Sequence, residues 1–427
     1  MRTVRDLSQC GPTRPIPSRV VSGIGEVQEA FRSLPGRYLG AHADFDATYH
    51  LRLGDIGHTW EVRCTTHGAR VRAGVTGREP DVVIGTDAQT WLALRRGDLS
   101  GIEAFSQRRL YARGDLDLAI GFEGMFRLPN GRPPLQRIHD VRVEHGNRIS
   151  TLTMGEGPDV VLLHGLGATK TSFFDTAAAL SRRYRVHALD FPGFGGSSKP
   201  ALARYGAPFF ARAVLDVMDR LEIERAHLIG NSMGGRVALE VGLCEPGRVG
   251  GLALLCPALA FVRRSYAPIV RLLRPELGLL PHSLGRGRIE GQFWSMFADR
   301  DLVDPSVADI AVDEFERIYR SAGARLAFLA SARSIYLDPP FGRGGLFPRL
   351  EALEPPAMFV WGSHDKLIPP GFSRHVERWL PDAEQIILEG CGHVPQIERP
   401  ERTNGLITRF FARIDALGAA VPVRVAA

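Results

Sequence analysis

His227-Leu228-Ile229-Gly230-Asn231-Ser232-Met233-Gly234-Gly235-Arg236-Val237 decides how this chain folds. The first three residues read as a short buried strand, and the run through Val237 and Leu243 has helical length and pattern. Between them stands a Gly-x-Ser-x-Gly turn, too tight for bulky side chains at its glycine positions. Strain in such a turn lifts the Ser232 hydroxyl above the sheet edge at a helix N-terminus. A serine hydroxyl is a poor nucleophile at neutral pH, so chemistry there requires a base to take its proton and a third group to orient the base.

Working outward, the chain supplies both partners. His393 lies in Glu389-Gly390-Cys391-Gly392-His393, just after the apolar strand Gln385 to Leu388, where a glycine-rich loop brings the imidazole over the sheet edge. Asp365 closes Trp361-Gly362-Ser363-His364-Asp365 at the end of the strand Ala357 to Trp361. An oxyanion needs two donors: the backbone N–H of Met233 and that of Leu166, in His164-Gly165-Leu166-Gly167 after the strand Val160 to Leu163. Further apolar strands at Tyr184 to Leu189 and Leu252 to Leu255 alternate with helical stretches, which implies a largely parallel sheet wrapped by helices. A hairpin precedes them, from Val141 to Met154 with its turn at Gly146-Asn147.

These motifs, together with Asp190-Phe191-Pro192-Gly193-Phe194-Gly195-Gly196-Ser197, resemble the α/β-hydrolase superfamily from about Ile138 to Phe411. The resemblance implies an α/β fold with Ser232, Asp365 and His393 as catalytic triad and Leu166 and Met233 as oxyanion hole. It is similar to the branch containing esterases, lipases and dienone carbon–carbon bond hydrolases, and Asn231-Ser232-Met233-Gly234-Gly235 resembles the last of these in particular. Residues from roughly Ala258 to Phe347 fall where this superfamily inserts a helical cap. There Arg263, Arg264, Arg271, Arg274, Arg286 and Arg288 interleave with apolar residues, a composition suited either to solvated cap helices or to an anionic lipid surface.

Leu128 to Arg137 has the Pro/Gly/polar composition of a linker, and the texture before it differs. Phe45, Ala47, Tyr49, Leu51 and Leu53 alternate with polar residues, and Trp60, Val62 and Cys64 repeat the pattern. His67-Gly68 offers a hairpin turn, and Val82 to Ile84 is another strand. Thr86 or Asp87, Ser100 and Asp115 are expected to cap three short helices. Thr90-Trp91-Leu92-Ala93-Leu94, Gly97-Asp98-Leu99-Ser100 and Arg113-Gly114-Asp115-Leu116 resemble the sterol-carrier-protein lipid-binding domain. That family encloses an apolar tunnel, here expected to be lined by Trp91, Leu94, Ile102, Phe105, Leu118, Ile120 and Phe122.

The expected organisation is a sterol-carrier-like α+β domain over 20–128, a linker over 129–137, and an α/β-hydrolase domain over 138–415 with its cap at about 258–347. The formal charge of +6 over 427 residues, with acids interspersed, is no nucleic-acid footprint. Only three lysines occur, Lys170, Lys199 and Lys366. The five cysteines are odd in number and widely spaced, which argues against a disulfide framework or metal site and for a reducing compartment. The expectation is therefore a cytoplasmic serine hydrolase of carboxylic esters, carboxylesterase- or lipase-like, acting on lipid-like substrates without cofactor or metal, with peripheral membrane contact as a further expectation. Two alternatives stand beside it: carbon–carbon hydrolysis of a dienone, and a non-catalytic lipid carrier.

Overall fold

In the computed structural model, which describes residues 24–272, 274–280 and 285–420, the alternating run after Phe45 becomes β1 (Asp46–Leu53). It pairs antiparallel with β2 (His58–Thr65), which pairs with β3 (Gly68–Ala73) across the His67-Gly68 turn. β4 (Val82–Thr86) runs parallel to β1, and β5 (Leu110–Gly114) completes the order β3-β2-β1-β4-β5. α1 (Ile24–Arg32) and α2 (Ala88–Arg96) hold one aromatic stack, in which Phe31 lies 4.2 Å from Trp60 and 4.3 Å from Trp91 between ring centres. Asp87 caps α2, Ser100 caps α3 (Gly101–Ser106) in a reciprocal box with Glu103, and Asp115 caps α4 (Leu116–Gly124). Each cap satisfies helix-end donors and stabilises by about 1 kcal/mol.

The larger sheet contains β6 (Gln136–Arg142), β7 (Arg148–Met154), β8 (Asp159–Leu163), β9 (Arg185–Leu189), β10 (Ala226–Asn231), β11 (Val249–Leu255), β12 (Ala357–Gly362) and β13 (Glu384–Leu388). Its order is β13-β12-β11-β10-β8-β9-β7-β6, with β7 antiparallel to both its neighbours, β9 and β6, and the other neighbouring pairs parallel. Gln136 and Arg137, expected in the linker, already pair with Met154 and Thr153. Gln136 belongs there because its side chain accepts from the Ile102 amide at 3.0 Å and donates to the Ile120 carbonyl at 3.1 Å.

On one face of this sheet, α5 (Phe174–Leu180) packs beside the C-terminal helix; on the other lie α6 (Ala207–Arg220) and α7 (Met233–Cys244). The cap between β11 and β12 comprises α8 (Ala267–Leu272), α9 (Arg286–Trp294), α10 (Pro305–Tyr319), α11 (Ala322–Leu337) and α12 (Leu346–Arg349). α13 (Ser373–Trp379) precedes β13, and α14 (Pro395–Glu398) and α15 (Pro400–Ala420) end the described chain.

The two sheets are joined by packing as well as by chain. Ile102 and Ile120 sit in the same core as Leu152, Phe173 and Phe174, and Phe105 meets Phe174 edge-on at 5.5 Å. Arg317 of α10 reaches Asp115 at 2.7 Å. β8 feeds β9 on one side while β10 lies on the other, so the chain reverses direction between β8 and β10. Open α/β sheets hold their ligands at such a reversal, outside the carboxyl ends of the strands.

Candidate active site

Ser232 follows β10 at that reversal with φ +53° and ψ −115°, a conformation L residues rarely adopt. Neighbouring glycines make it attainable. A Cβ on Gly230 would stand 2.3 Å from the Gly234 carbonyl oxygen, and one on Gly234 1.9 Å from that of Leu163. Backbone strain of this kind costs about 1–3 kcal/mol and persists only where surrounding structure enforces it. Here Ser232 is pinned on both sides: its amide donates to the Leu255 carbonyl at 2.9 Å, and its carbonyl accepts from the Ala258 amide at 2.9 Å.

Asp365 and His393, 28 residues apart, are brought together with Nδ1 to Oδ2 at 2.7 Å. The other carboxylate oxygen accepts from the amides of Leu367 and Ile368 at 2.8 and 2.9 Å, so the acid is held in one orientation. With Nδ1 engaged, Nε2 is the imidazole nitrogen that remains for proton transfer. Ser232 and His393 line the same cavity. Of the expected oxyanion donors, Leu166 also lines it. Met233 opens α7 with its side chain buried, and its amide belongs to the first turn of a helix, where N–H groups lack intrahelical partners.

Several supporting residues, two of them inside motifs already quoted, had no role of their own assigned from the sequence. Asn231 Nδ2 donates to the carbonyls of both Leu255 and His393 at 3.0 Å, tying the serine turn to the histidine loop. Glu398 accepts from the Gly392 amide at 2.6 Å and from Ala298 and Asp299 at 2.8 Å, and the His393 amide donates to Met296 at 2.7 Å. Those bonds fasten the histidine loop to the cap. His164 spans Gly165 and Phe191 through its two ring nitrogens, and burial lowers its pKa, so it stays neutral. Cys256 stands with Asp365 and His393, its Sγ, a carboxylate oxygen and a ring nitrogen lying within 4.8 Å of one another. Burial, followed by the Asp365 charge, holds its thiol well above the usual range, so it remains protonated.

The cavity has a volume of about 670 Å³ and is walled by both domains. From the larger domain come, among others, Phe261, Phe293, Met296, Phe315 and Phe328, with Arg288 of α9 as a charged member. From the smaller come Trp91, Leu94, Ile102, Phe105, Ile120 and Phe122, six of the seven residues expected to line a tunnel. Leu118 does not: Leu116, Ala119, Ile120 and Glu123 share the cavity-facing side of α4 at helical spacing, and Leu118 packs instead toward the core around Tyr49 and Trp91.

A family model described as the alpha/beta hydrolase fold matches residues 158–400, and one described as the SCP-2 sterol transfer family matches residues 29–127. The chain belongs to the α/β-hydrolase fold family, with an SCP-2 domain fused before it, and by family it is a hydrolase. It is similar to 2-hydroxymuconate semialdehyde hydrolase of Pseudomonas putida, 30% identical over 281 residues, covering 64% of this chain and 93% of that one. It is also similar to a pimeloyl-acyl-carrier-protein methyl ester esterase of Aeromonas hydrophila, 28% identical over 264 residues, covering 61% and 98%. A solved membrane phospholipase A, described as a bacterial virulence factor, matches with a TM-score of 0.54 at 29% identity over 66% of this chain and 87% of that one. No helix among the described residues is long and apolar enough to cross a membrane.

Proposed function

We propose that the protein is a serine hydrolase of carboxylic esters whose substrates are long and apolar. The observation that carries this reading is the single apolar cavity that holds Ser232 and His393 at one part and the SCP-2 domain's Trp91, Leu94 and Ile120 at another. Ser232 Oγ attacks the acyl carbonyl as His393 Nε2 takes its proton, and the amides of Leu166 and Met233 receive the developing oxyanion. Collapse breaks the carbon–oxygen bond, and the alcohol leaves with the proton from His393. Water, deprotonated by the same imidazole, then releases the acid and restores the serine. Asp365 stabilises the imidazolium in both halves. The aliphatic chain lies in the part of the cavity that the SCP-2 domain supplies.

The test is hydrolysis of p-nitrophenyl esters of increasing chain length by the full chain, with fluorophosphonate labelling lost in Ser232→Ala. Absence of both labelling and turnover leaves the lipid-carrier reading. Arg288 favours a second reading, because a guanidinium on the cavity wall can anchor the acid group of a dienone; turnover of a chromogenic dienone in preference to esters would select carbon–carbon hydrolysis.

A cytoplasmic setting is part of the proposal, supported by free cysteines at 64, 244, 256 and 391. So is peripheral contact with anionic lipid: Tyr266, Ile269 and Leu272 are 67%, 68% and 81% exposed beside the exposed Arg263, Arg271 and Arg274. Exposed apolar side chains interleaved with arginine suit a bilayer surface better than water alone.

A further inference from the structure

The SCP-2 side of the cavity carries a charged group that ester hydrolysis at Ser232 does not use. Arg95, on the last turn of α2, lines the cavity and is 3% exposed. Its guanidinium carbon lies 5.5 Å from the ring centres of both Trp91 and Phe126, contacts that hold the group in place without satisfying its N–H donors. Nε and Nη2 of Arg95 are buried without a hydrogen-bond partner, and so is Nε1 of Trp91, a residue that also lines the cavity.

Two charged groups face Arg95. Arg37 is a second guanidinium with unpartnered Nε and Nη1. Burial, then Arg37, brings the Arg95 pKa down to about 10, which leaves it charged at neutral pH. Glu123 lines the cavity too, but its Oε2 is committed to the Gly101 amide at 2.6 Å and its Oε1 is unpartnered. Burial pushes its pKa up to about 7, so near neutrality it only partly offsets two guanidinium charges. A buried cation with idle donors is unfavourable until an acceptor arrives. Arg95 Nε, Arg95 Nη2 and Trp91 Nε1 are all donors, and the side edge of a guanidinium matches the two oxygens of a carboxylate.

We propose that Arg95 and Trp91 Nε1 bind a carboxylate at the far end of the substrate's aliphatic chain, so that the preferred substrates are monoesters of long α,ω-dicarboxylic acids. The scissile carbonyl sits at Ser232, the methylene chain fills the apolar wall region of Ile102, Phe105 and Ile120, and the free carboxylate meets Arg95. This deepens the ester-hydrolase reading and rests on it.

The experiment uses the full chain and a length series of saturated p-nitrophenyl esters in pairs, one member ending in methyl and the other in carboxylate. At the length that spans the two sites, the carboxylate member is expected to show a KM about ten- to a hundredfold lower, the range for a hydrogen bond to a charged group. Arg95→Met brings the ratio within each pair close to one, whereas Arg288→Met keeps the preference. Equal or better use of the methyl-ended ester at every length overturns the proposal, as does a preference that survives Arg95→Met. If neither member is hydrolysed, the ester-hydrolase reading fails instead. Calorimetric titration of long-chain monocarboxylates and the primary alcohols of the same length then decides the Arg95 site by itself: tighter carboxylate binding that Arg95→Met abolishes supports it, and equal binding overturns it. The wild-type comparison needs no variant, so a misfolded Arg95→Met protein leaves the decision intact.

Discussion

Lys170 Nζ lies 2.5 Å from Asp117 Oδ1, an ion pair between the hydrolase domain and α4 of the SCP-2 domain. The lysine is fully buried and also reaches Asp190 at 2.6 Å and Ser150 Oγ at 3.0 Å. One cation thus serves two carboxylates. Burial opposes ionisation of Asp190, but Lys170 outweighs it and holds that carboxyl low; burial, aided by the Asp190 charge, pushes Asp117 up in spite of Lys170. Lys170→Met, which strands both carboxylates, is expected to destabilise the protein by about 3–5 kcal/mol. Asp117→Asn should cost less, because Lys170 keeps Asp190. Urea unfolding of the two variants measures the difference, and an equal loss would mean that Asp190 contributes nothing.

Ser232→Ala is expected to abolish ester hydrolysis while leaving the melting temperature near that of the parent, because the turn is imposed by Gly230, Gly234 and the bonds to Leu255 and Ala258. Asp365→Asn removes the charge beside His393 Nδ1 and should lower kcat by about 10⁴-fold. Asp190→Asn should act on stability through Lys170. Steady-state kinetics beside thermal melts separates the cases; a larger kcat loss in Asp190→Asn than in Asp365→Asn, with melting unchanged, would reassign the acid.

Glu123 makes stability depend on pH. Burial raises its folded pKa from 4.5 to about 7, so between those values the folded state binds more protons than the unfolded one. The contribution is fully present below pH 4.5, is lost as pH rises toward 7, and is flat above that. Its size is on the order of 3 kcal/mol. Glu123→Gln keeps an acceptor for the Gly101 amide and removes the titration, so its stability should fall less over this interval. Denaturant midpoints for both proteins at several pH values test this, and parallel curves would refute it.

Ala119→Trp places a large ring in the SCP-2 part of the cavity, where overpacking costs about 1–3 kcal/mol. Long-chain esters should lose kcat/KM by more than tenfold relative to short ones. An unchanged ratio would show that long chains do not enter this region.

Ile269→Glu combined with Leu272→Glu is expected to abolish co-sedimentation with vesicles containing phosphatidylglycerol. Parent binding should weaken as salt is raised, because arginine attraction is screened. Salt-independent binding, or binding unaffected by the double change, would remove the arginine-rich cap face from consideration.

Local chemistry decided which parts could be read in advance. The three N-terminal helix caps, the alternation of β1 and β2, and the Ser232, Asp365 and His393 positions all rest on short-range signals: a capping side chain, a period of two, a glycine turn after an apolar strand. β5 escaped because only Ala112 of its five residues is buried, which leaves no alternation to see. Lys170 stood in the sequence as one of three lysines, with nothing to mark it, since Asp117 lies 53 residues away and belongs to another sheet's helix. Arg95 was hidden for a similar reason: an arginine in a last helical turn reads as an ordinary favourable C-terminal charge, and only the assembled interior shows that it lines a cavity with buried, unpartnered donors.

Ile102, Phe105 and Ile120 line the same cavity as Ser232, so under the proposed function the route from storage to chemistry contains no aqueous leg. A lipid handed from one protein to another must leave its pocket, cross water and be recaptured, and each crossing exposes methylene groups at about 0.8 kcal/mol apiece. Under the proposed function, the transfer in this chain becomes a slide along one apolar surface. Carrier and hydrolase are then held at a one-to-one stoichiometry, and under the proposed function throughput is set by entry into the shared chamber, without an encounter between two proteins.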